Sequence, residues 1–235
     1  MTVADAGSAE VRRALIVGAH PDDPELFAGG TAARWARAGA AVRFLLLTDG
    51  RMGTQDPDAD LGDVARSRID EAVAAAAVIG AEAPVFAGFP DGELVAHRAA
   101  ATEVVARAIR EFRPDVVVGH DPWRPYEPHP DHRAAGFATC DGVVAAREWH
   151  ALPALRAAGL DPHRPREVWL MGTGAPDRFV DITATFESKV AALAAHAGQF
   201  ASVKGWRRRV EDWNARIGAE VGCGFAEAFH DFAVS

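Results

Sequence analysis

Cysteine, lysine and long apolar runs are all scarce in this chain, and each scarcity excludes something. Two cysteines, Cys140 and Cys223, among 235 residues cannot build a disulfide framework, so stability has to come from a packed core. There are two lysines, and 33 acidic against 25 basic residues leave a net charge of −8. Phosphate backbones and anionic membranes are met by clustered Lys and Arg, so no nucleic-acid partner is expected. The run Arg207-Arg208-Arg209 is too short to reverse that balance. The longest apolar stretch, Ala72 to Ala81, is half the ~20 residues a membrane span needs, so no span is expected. The opening MTVADAGSAEVRR has no apolar signal core, which makes the expected location cytoplasmic. Also missing is the G-x-G-x-x-G turn that lets a pyrophosphate approach the backbone. Its absence weighs against a nucleotide-dependent oxidoreductase.

What is present is an ordinary globular mix, 49% hydrophobic and 25% charged, arranged as short apolar runs alternating with longer helical patterns. Strands are predicted at Ala14 to Val17, Val42 to Leu47, Pro84 to Ala87, Val116 to Val118 and Glu167 to Met171. Helices are predicted at Glu25 to Ala38, Val64 to Ile79, His97 to Phe112, Asp131 to Trp149, Ile182 to His196 and Val203 to Ile217. Continuous apolar strands separated by helices imply a three-layer, Rossmann-like α/β fold with a mostly parallel sheet. Residues 1–235 read as a single domain, with residues 1–11 expected to be a flexible N-terminal extension. Ligands of such sheets bind outside the carboxyl ends of the strands. The polar loops 50–63 and 121–130 both fall there.

Chemistry-bearing residues cluster at two of those strand ends. The first strand runs into His20-Pro21-Asp22-Asp23-Pro24-Glu25, an imidazole and carboxylates where a phosphate site would carry glycines. By itself this also reads as a helix start, with Asp23 as N-cap, Pro24 in the first turn and His20 an ordinary turn residue. A later strand, however, leads to His120 and then to His129-Pro130-Asp131-His132, a second His/Asp cluster. Two His and a carboxylate from separate strand ends suit a catalytic divalent cation, which keeps three protein ligands and an open position.

With these motifs in hand, the chain resembles the LmbE-like, or PIG-L, family of zinc-dependent N-acetylglucosaminyl deacetylases. The resemblance rests on AHPDDPE (Ala19 to Glu25), LTDGRMGT (Leu47 to Thr54), RIDEAVAAAAVIG (Arg68 to Gly80) and GFPDGEL (Gly88 to Leu94). It continues through RPDVVVGHDP (Arg113 to Pro122), HPDHRAAG (His129 to Gly136), KVAALAAHAGQF (Lys189 to Phe200) and the closing FAEAFHDF. It implies metal ligands at His20, Asp23 and His132, one Zn²⁺ per chain with Fe²⁺ or another divalent ion as alternatives, and a general base at Asp22. It further implies a catalytic His129 oriented by Asp131. On that assignment Asp22 takes a proton from a metal-bound water as it attacks an N-acetyl, or similar N-acyl, group of an amino-sugar-containing small molecule. A protonated His129 would stabilise the oxyanion or protonate the leaving amine, and Asp131 would fix its tautomer and raise its pKa.

Two residues depart from the family pattern, Arg51 after TDG and Gly198 before Gln199, and both bear on substrate identity. Arg68, Asp91 and His196 are candidate substrate contacts, against ordinary readings as a helix-surface pair, turn chemistry and a packed histidine. His120 is a candidate supporting residue. Trp123, Trp206 and Trp213 read as packing or as sugar-stacking rings, and Cys140 as an inert helix cysteine. Two alternatives stay open: an amidase acting on mycothiol-type thiol conjugates, and a non-catalytic, metal-containing sugar-binding module. A homo-oligomer is compatible with the sequence, which does not specify one.

Overall fold

In the computed structural model, residues 11–232 are described, so residues 1–10 of the expected extension lie outside them. Val11 is partly buried against the core rather than part of an extension. The elements run β1 (Arg13–Gly18), α1 (Asp23–Arg37), β2 (Ala41–Thr48), α2 (Leu61–Ile79), β3 (Val85–Phe89), α3 (Arg98–Phe112), β4 (Val116–His120) and α4 (Pro130–Arg147). They continue as α5 (Pro153–Ala157), β5 (Glu167–Met171), β6 (Arg178–Asp181), α6 (Phe186–Ala195), α7 (Ala197–Phe200), α8 (Trp206–Val221) and β7 (Ala226–Asp231).

One sheet has the order β3-β2-β1-β4-β5-β7-β6. The first five of these strands are parallel, and β7 runs antiparallel to both β5 and β6. Because side chains alternate along a strand, a fully apolar strand feeds two cores at once. Ala14 and Ile16 of β1, with Val116 and Val118 of β4, face a core shared with α1, α2 and α6. Leu15 and Val17, with Val117, face the other core, shared with α3 and α4. These are the three layers. Chain order reverses between β1 and β4, and their register (Ile16 opposite Val118) brings their carboxyl ends out side by side. A doubly wound sheet opens its ligand crevice at such a switch point. Among the described residues no helix is long and apolar enough to cross a membrane.

The strand predictions hold to within a few residues, and β5 is matched at both ends. The last part of the sheet was not anticipated. β6 is four residues long and β7 mixes Glu227, His230 and Asp231 with apolar positions, so neither shows the continuous run that marked the earlier strands. The predicted helix from Ile182 begins only at Phe186, because Ile182 is a buried residue just past β6.

Glu227 explains why a polar strand can be internal. Its buried carboxylate accepts from the backbone N–H groups of Gly30 and Thr31 at 3.0 and 2.8 Å, from the Thr31 hydroxyl at 2.6 Å, and from Lys189 Nζ at 2.7 Å. Lys189 is fully buried, and burial holds its ammonium below the ordinary lysine range against the pull of Glu227. The pair ties β7 to α1 and α6. Breaking one side strands the other charge in the core, at a cost of about 3–5 kcal/mol. Glu227→Gln is therefore expected to lower the urea midpoint by that equivalent, whereas the double substitution Glu227→Gln with Lys189→Met should recover much of it. Equal stability of Glu227→Gln and the parent would show that the pair is not the anchor.

Candidate metal and catalytic site

The crevice floor is built by the β1–α1 turn. Asp22, not Asp23, occupies the N-cap position of α1, and neither side chain caps the helix. Asp23 instead turns back and accepts the His20 N–H at 2.7 Å. The helix-start reading of Asp23 is thereby corrected: its carboxylate is turned to the cluster rather than spent on the helix. Nδ1 of His20 lies 3.4 Å from Asp23 Oδ2, and Nε2 of His132 lies 3.3 Å from Asp23 Oδ1. His20 and His132 stand with ring centroids 5.2 Å apart. The three residues implied as ligands therefore meet pairwise around one carboxylate.

The donor chemistry fits a divalent cation. Donor atoms of His20, His129 and His132 lie within 4.8 Å of one another, and so do those of Asp23, His120 and His132. Nδ1 of His132 faces Glu127 Oε1 at 3.3 Å, which directs Nε2 toward Asp23. A carboxylate behind the far nitrogen of a histidine is the usual support of a metal-binding imidazole. Glu127 also accepts the His129 N–H at 3.1 Å, tying the loop before α4 together. His120 Nε2 stands 3.1 Å from Asp23 Oδ2 and packs its ring against His132 at 4.4 Å. Sequence reasoning missed Glu127. Its only signal was an acidic residue two positions before the HPDH motif.

Electrostatics favour positive charge here. Burial opposes a charge on His20, but the facing carboxylates of Asp131, Asp23 and Asp91 outweigh it and push the imidazole up to about 12. Asp23, though buried, is held well below the usual carboxylate range by His120, His132 and His20. His20 Nε2 sits 3.0 Å from Asp91 Oδ1, an ion-pair distance without hydrogen-bond geometry, so this buried nitrogen has no hydrogen-bond partner.

Around the floor is a cavity of about 300 Å³ lined by His20, Asp22, Asp23, Arg68, Asp91, His129 and His132, with Leu26, Met52, Gly53 and Gln199 at its walls. Asp22 Oδ1 accepts from Arg68 at 2.9 Å, and Arg68 is almost wholly buried. The solvated helix-surface reading of Arg68 is excluded. Its planar group passes so close to the 50–53 turn that a Cβ at Gly53 would lie 2.2 Å from it, so a larger residue there would have to displace the guanidinium. Gln199 Nε2 donates to Gly53 O at 2.7 Å and closes the turn from the α7 side. Asp91 accepts the Met52 N–H at 3.1 Å and lines the cavity beside His20.

Three expectations need correction. His196 is fully buried and lies outside the cavity lining, packed 3.5 Å from the buried carboxylate of Glu25. The chain turns inward at the end of α6, so Gln199, three residues on, reaches the cavity instead. The orienting of His129 is also different. Its Nδ1 accepts the backbone N–H of Asp131 at 3.2 Å, while the Asp131 carboxylate accepts from Gly92 N–H at 2.7 Å and Leu94 N–H at 3.1 Å and faces His20 at 3.7 Å. It is the Asp131 backbone that sets the tautomer. Nor is the His129 pKa raised, because burial and the neighbouring His20 and His132 hold it below the ordinary value against Asp131. A neutral His129 whose Nδ1 accepts must carry its proton on Nε2. Cys140, as expected, is inert, with burial pushing its thiol up to about 12.

Known proteins resemble the chain in both sequence and fold. The family profile described as PIG-L, GlcNAc-PI de-N-acetylase, matches residues 15–143. The diacetylchitobiose deacetylase of Thermococcus kodakarensis is 38% identical over 191 residues, covering 81% of this chain and 71% of that protein. A 1D-myo-inositol 2-acetamido-2-deoxy-alpha-D-glucopyranoside deacetylase of Rhodococcus erythropolis is 36% identical, over 69% of this chain and 62% of that one. Among solved structures, the N,N'-diacetylchitobiose deacetylase of Pyrococcus horikoshii superposes with a TM-score of 0.89 at 29% identity, covering 95% of this chain and 84% of that one.

Proposed function

We propose, from the premise that this chain belongs to the PIG-L family of de-N-acetylases, that it hydrolyses the acetamide of an N-acetylglucosamine-containing small molecule at a divalent cation held by His20, Asp23 and His132. The supporting observation is the convergence of two connections, β1–α1 and β4–α4, on the Asp23 carboxylate, with Asp22 on the wall of the same cavity. Imidazole and carboxylate donors without thiolate suit Zn²⁺, the ion preferred here, and are also compatible with Fe²⁺. When bound, such a cation acidifies water and polarises a carbonyl oxygen.

The chain's own residues account for the remaining steps. Arg68 holds one oxygen of Asp22 and leaves the carboxylate's other oxygen to accept a proton. Water loses that proton to Asp22 as its oxygen bonds to the acetyl carbon. The Nε2–H of His129 is the donor available to the resulting oxyanion. The carbon–nitrogen bond then breaks, and the proton on Asp22 passes to the departing amine. Acetate and the free amino sugar are the products. Asp131 holds the 92–94 turn and keeps a carboxylate opposite His20.

The test is an acetate-release assay on the metal-loaded protein with N-acetylglucosamine, its disaccharide and its inositol glycoside. Stoichiometric acetate and free amine are expected from at least one of them. Cleavage of peptides or phosphoesters with no acetate from any sugar would overturn the reading. Cleavage of a thiol-conjugate amide alone would move it to the mycothiol-type amidase.

A further inference from the structure

We propose that an apolar groove adjoining the catalytic cavity across Leu26 receives an alkyl or aryl aglycone on the amino sugar, a reading that rests on the deacetylase assignment above. Leu26, one turn along α1 from Asp22, belongs to both walls. Beyond it, Phe200, Val203, Trp206, Val210 and Trp213 line an open groove of about 290 Å³, which nearly doubles the space of the cavity. Trp206, Val210 and Trp213 recur at the i, i+4, i+7 spacing that places residues on one helix face, so a single face of α8 forms one side. The rings are braced before anything binds: Phe200 rests on Trp206 at 5.1 Å and Trp213 on Phe27 at 5.9 Å.

Orientation and polarity identify the occupant. The amide carbon has to reach the buried floor at His20, Asp23 and His132, so the acetyl end is used there. What projects outward past Leu26 is the sugar's substituent. The accessible lining of the groove is almost wholly apolar, its polar groups being the Arg209 guanidinium and the indole N–H groups of Trp206 and Trp213. A second sugar would press several hydroxyls against walls that return few hydrogen bonds, whereas an alkyl or aryl group loses its water without that cost. A cavity near 300 Å³ is at the lower end of the usual ~300–1,000 Å³ for small-molecule sites, enough for the amino sugar but not for a large substituent as well.

The experiment compares hexyl and methyl glucosaminide, the product glycosides, by calorimetric titration of the metal-loaded protein, alongside acetate release from their N-acetyl forms. The hexyl compound is expected to bind at least ~10-fold tighter, because several methylenes leave water. In Trp206→Ala and in Val203→Asp, each checked for an unchanged circular-dichroism spectrum, that ratio should fall toward one. Equal affinities in the parent, or a ratio preserved in both variants, would overturn the proposal. So would a disaccharide product bound as tightly as the hexyl glycoside. If Val203→Asp instead split an oligomer and left the ratio intact, the groove would be a subunit contact and the proposal would fail. Absence of acetate from every glycoside with the hexyl preference intact would count against the deacetylase reading and in favour of the groove.

Discussion

Asp22→Asn is expected to retain its metal and lose ~10²–10⁴-fold in kcat, the usual contribution of a positioned base, or roughly 3–5.5 kcal/mol of barrier. Asp23→Asn is expected to lose both metal and rate. The two residues are adjacent, yet the structure separates their surroundings. Asp22 is bonded to Arg68 on the cavity wall, while Asp23 is buried between His20, His120 and His132. Replacing Asp23 removes the carboxylate that all three imidazoles face. His132→Ala should therefore resemble Asp23→Asn, and His129→Ala should resemble Asp22→Asn, since His129 is a cavity-wall donor. Metal content by mass spectrometry beside turnover for all four variants is the measurement. A metal-free Asp22→Asn beside a loaded, active Asp23→Asn would exchange the two roles.

Chelation is expected to abolish turnover in the unmodified protein and to be reversed by added Zn²⁺. It should also be visible in stability, because a ligand that binds only the folded state adds RT ln(1 + [L]/Kd), about 4 kcal/mol at a thousandfold excess over Kd. For a chain of this size that corresponds to a fall in Tm of roughly 8–16 °C on stripping, at ~2–4 °C per kcal/mol. The stability readout does not depend on having found the substrate. Full activity in stripped protein would exclude a metal-assisted mechanism, and an unchanged Tm would exclude tight occupation of the site.

Strands β1, β2, β4 and β5 were legible because they are largely buried and announce themselves as mainly apolar runs, whereas β3 is a more exposed edge strand. β7 was not legible, because Glu227 is satisfied by α1 and α6, partners far away in the sequence. The site shows the same division. His20, Asp22, Asp23, His129 and His132 sit in short motifs at strand ends and could be located by position. The partners of those residues could not. That Arg68 would reach Asp22, that Glu127 would face His132 and that Asp131 would hold a turn around residue 92 depend on how loops from different strands settle together. His196 shows the converse error, since a motif residue close to a site in sequence is turned into the core behind it.

The Glu227 anchor also bears on how the protein is made. The proposed metal donors lie between residues 20 and 132, and all of them leave a ribosome before β7 does. The strand that braces α1, the helix Asp23 begins, follows only after α4 to α8 have been made. During synthesis the donors are thus exposed on a chain that has yet to gain the brace behind α1, and domains settle as units. The brace that gives α1 its final seat, and with it the proposed cation site, comes only with translation of β7.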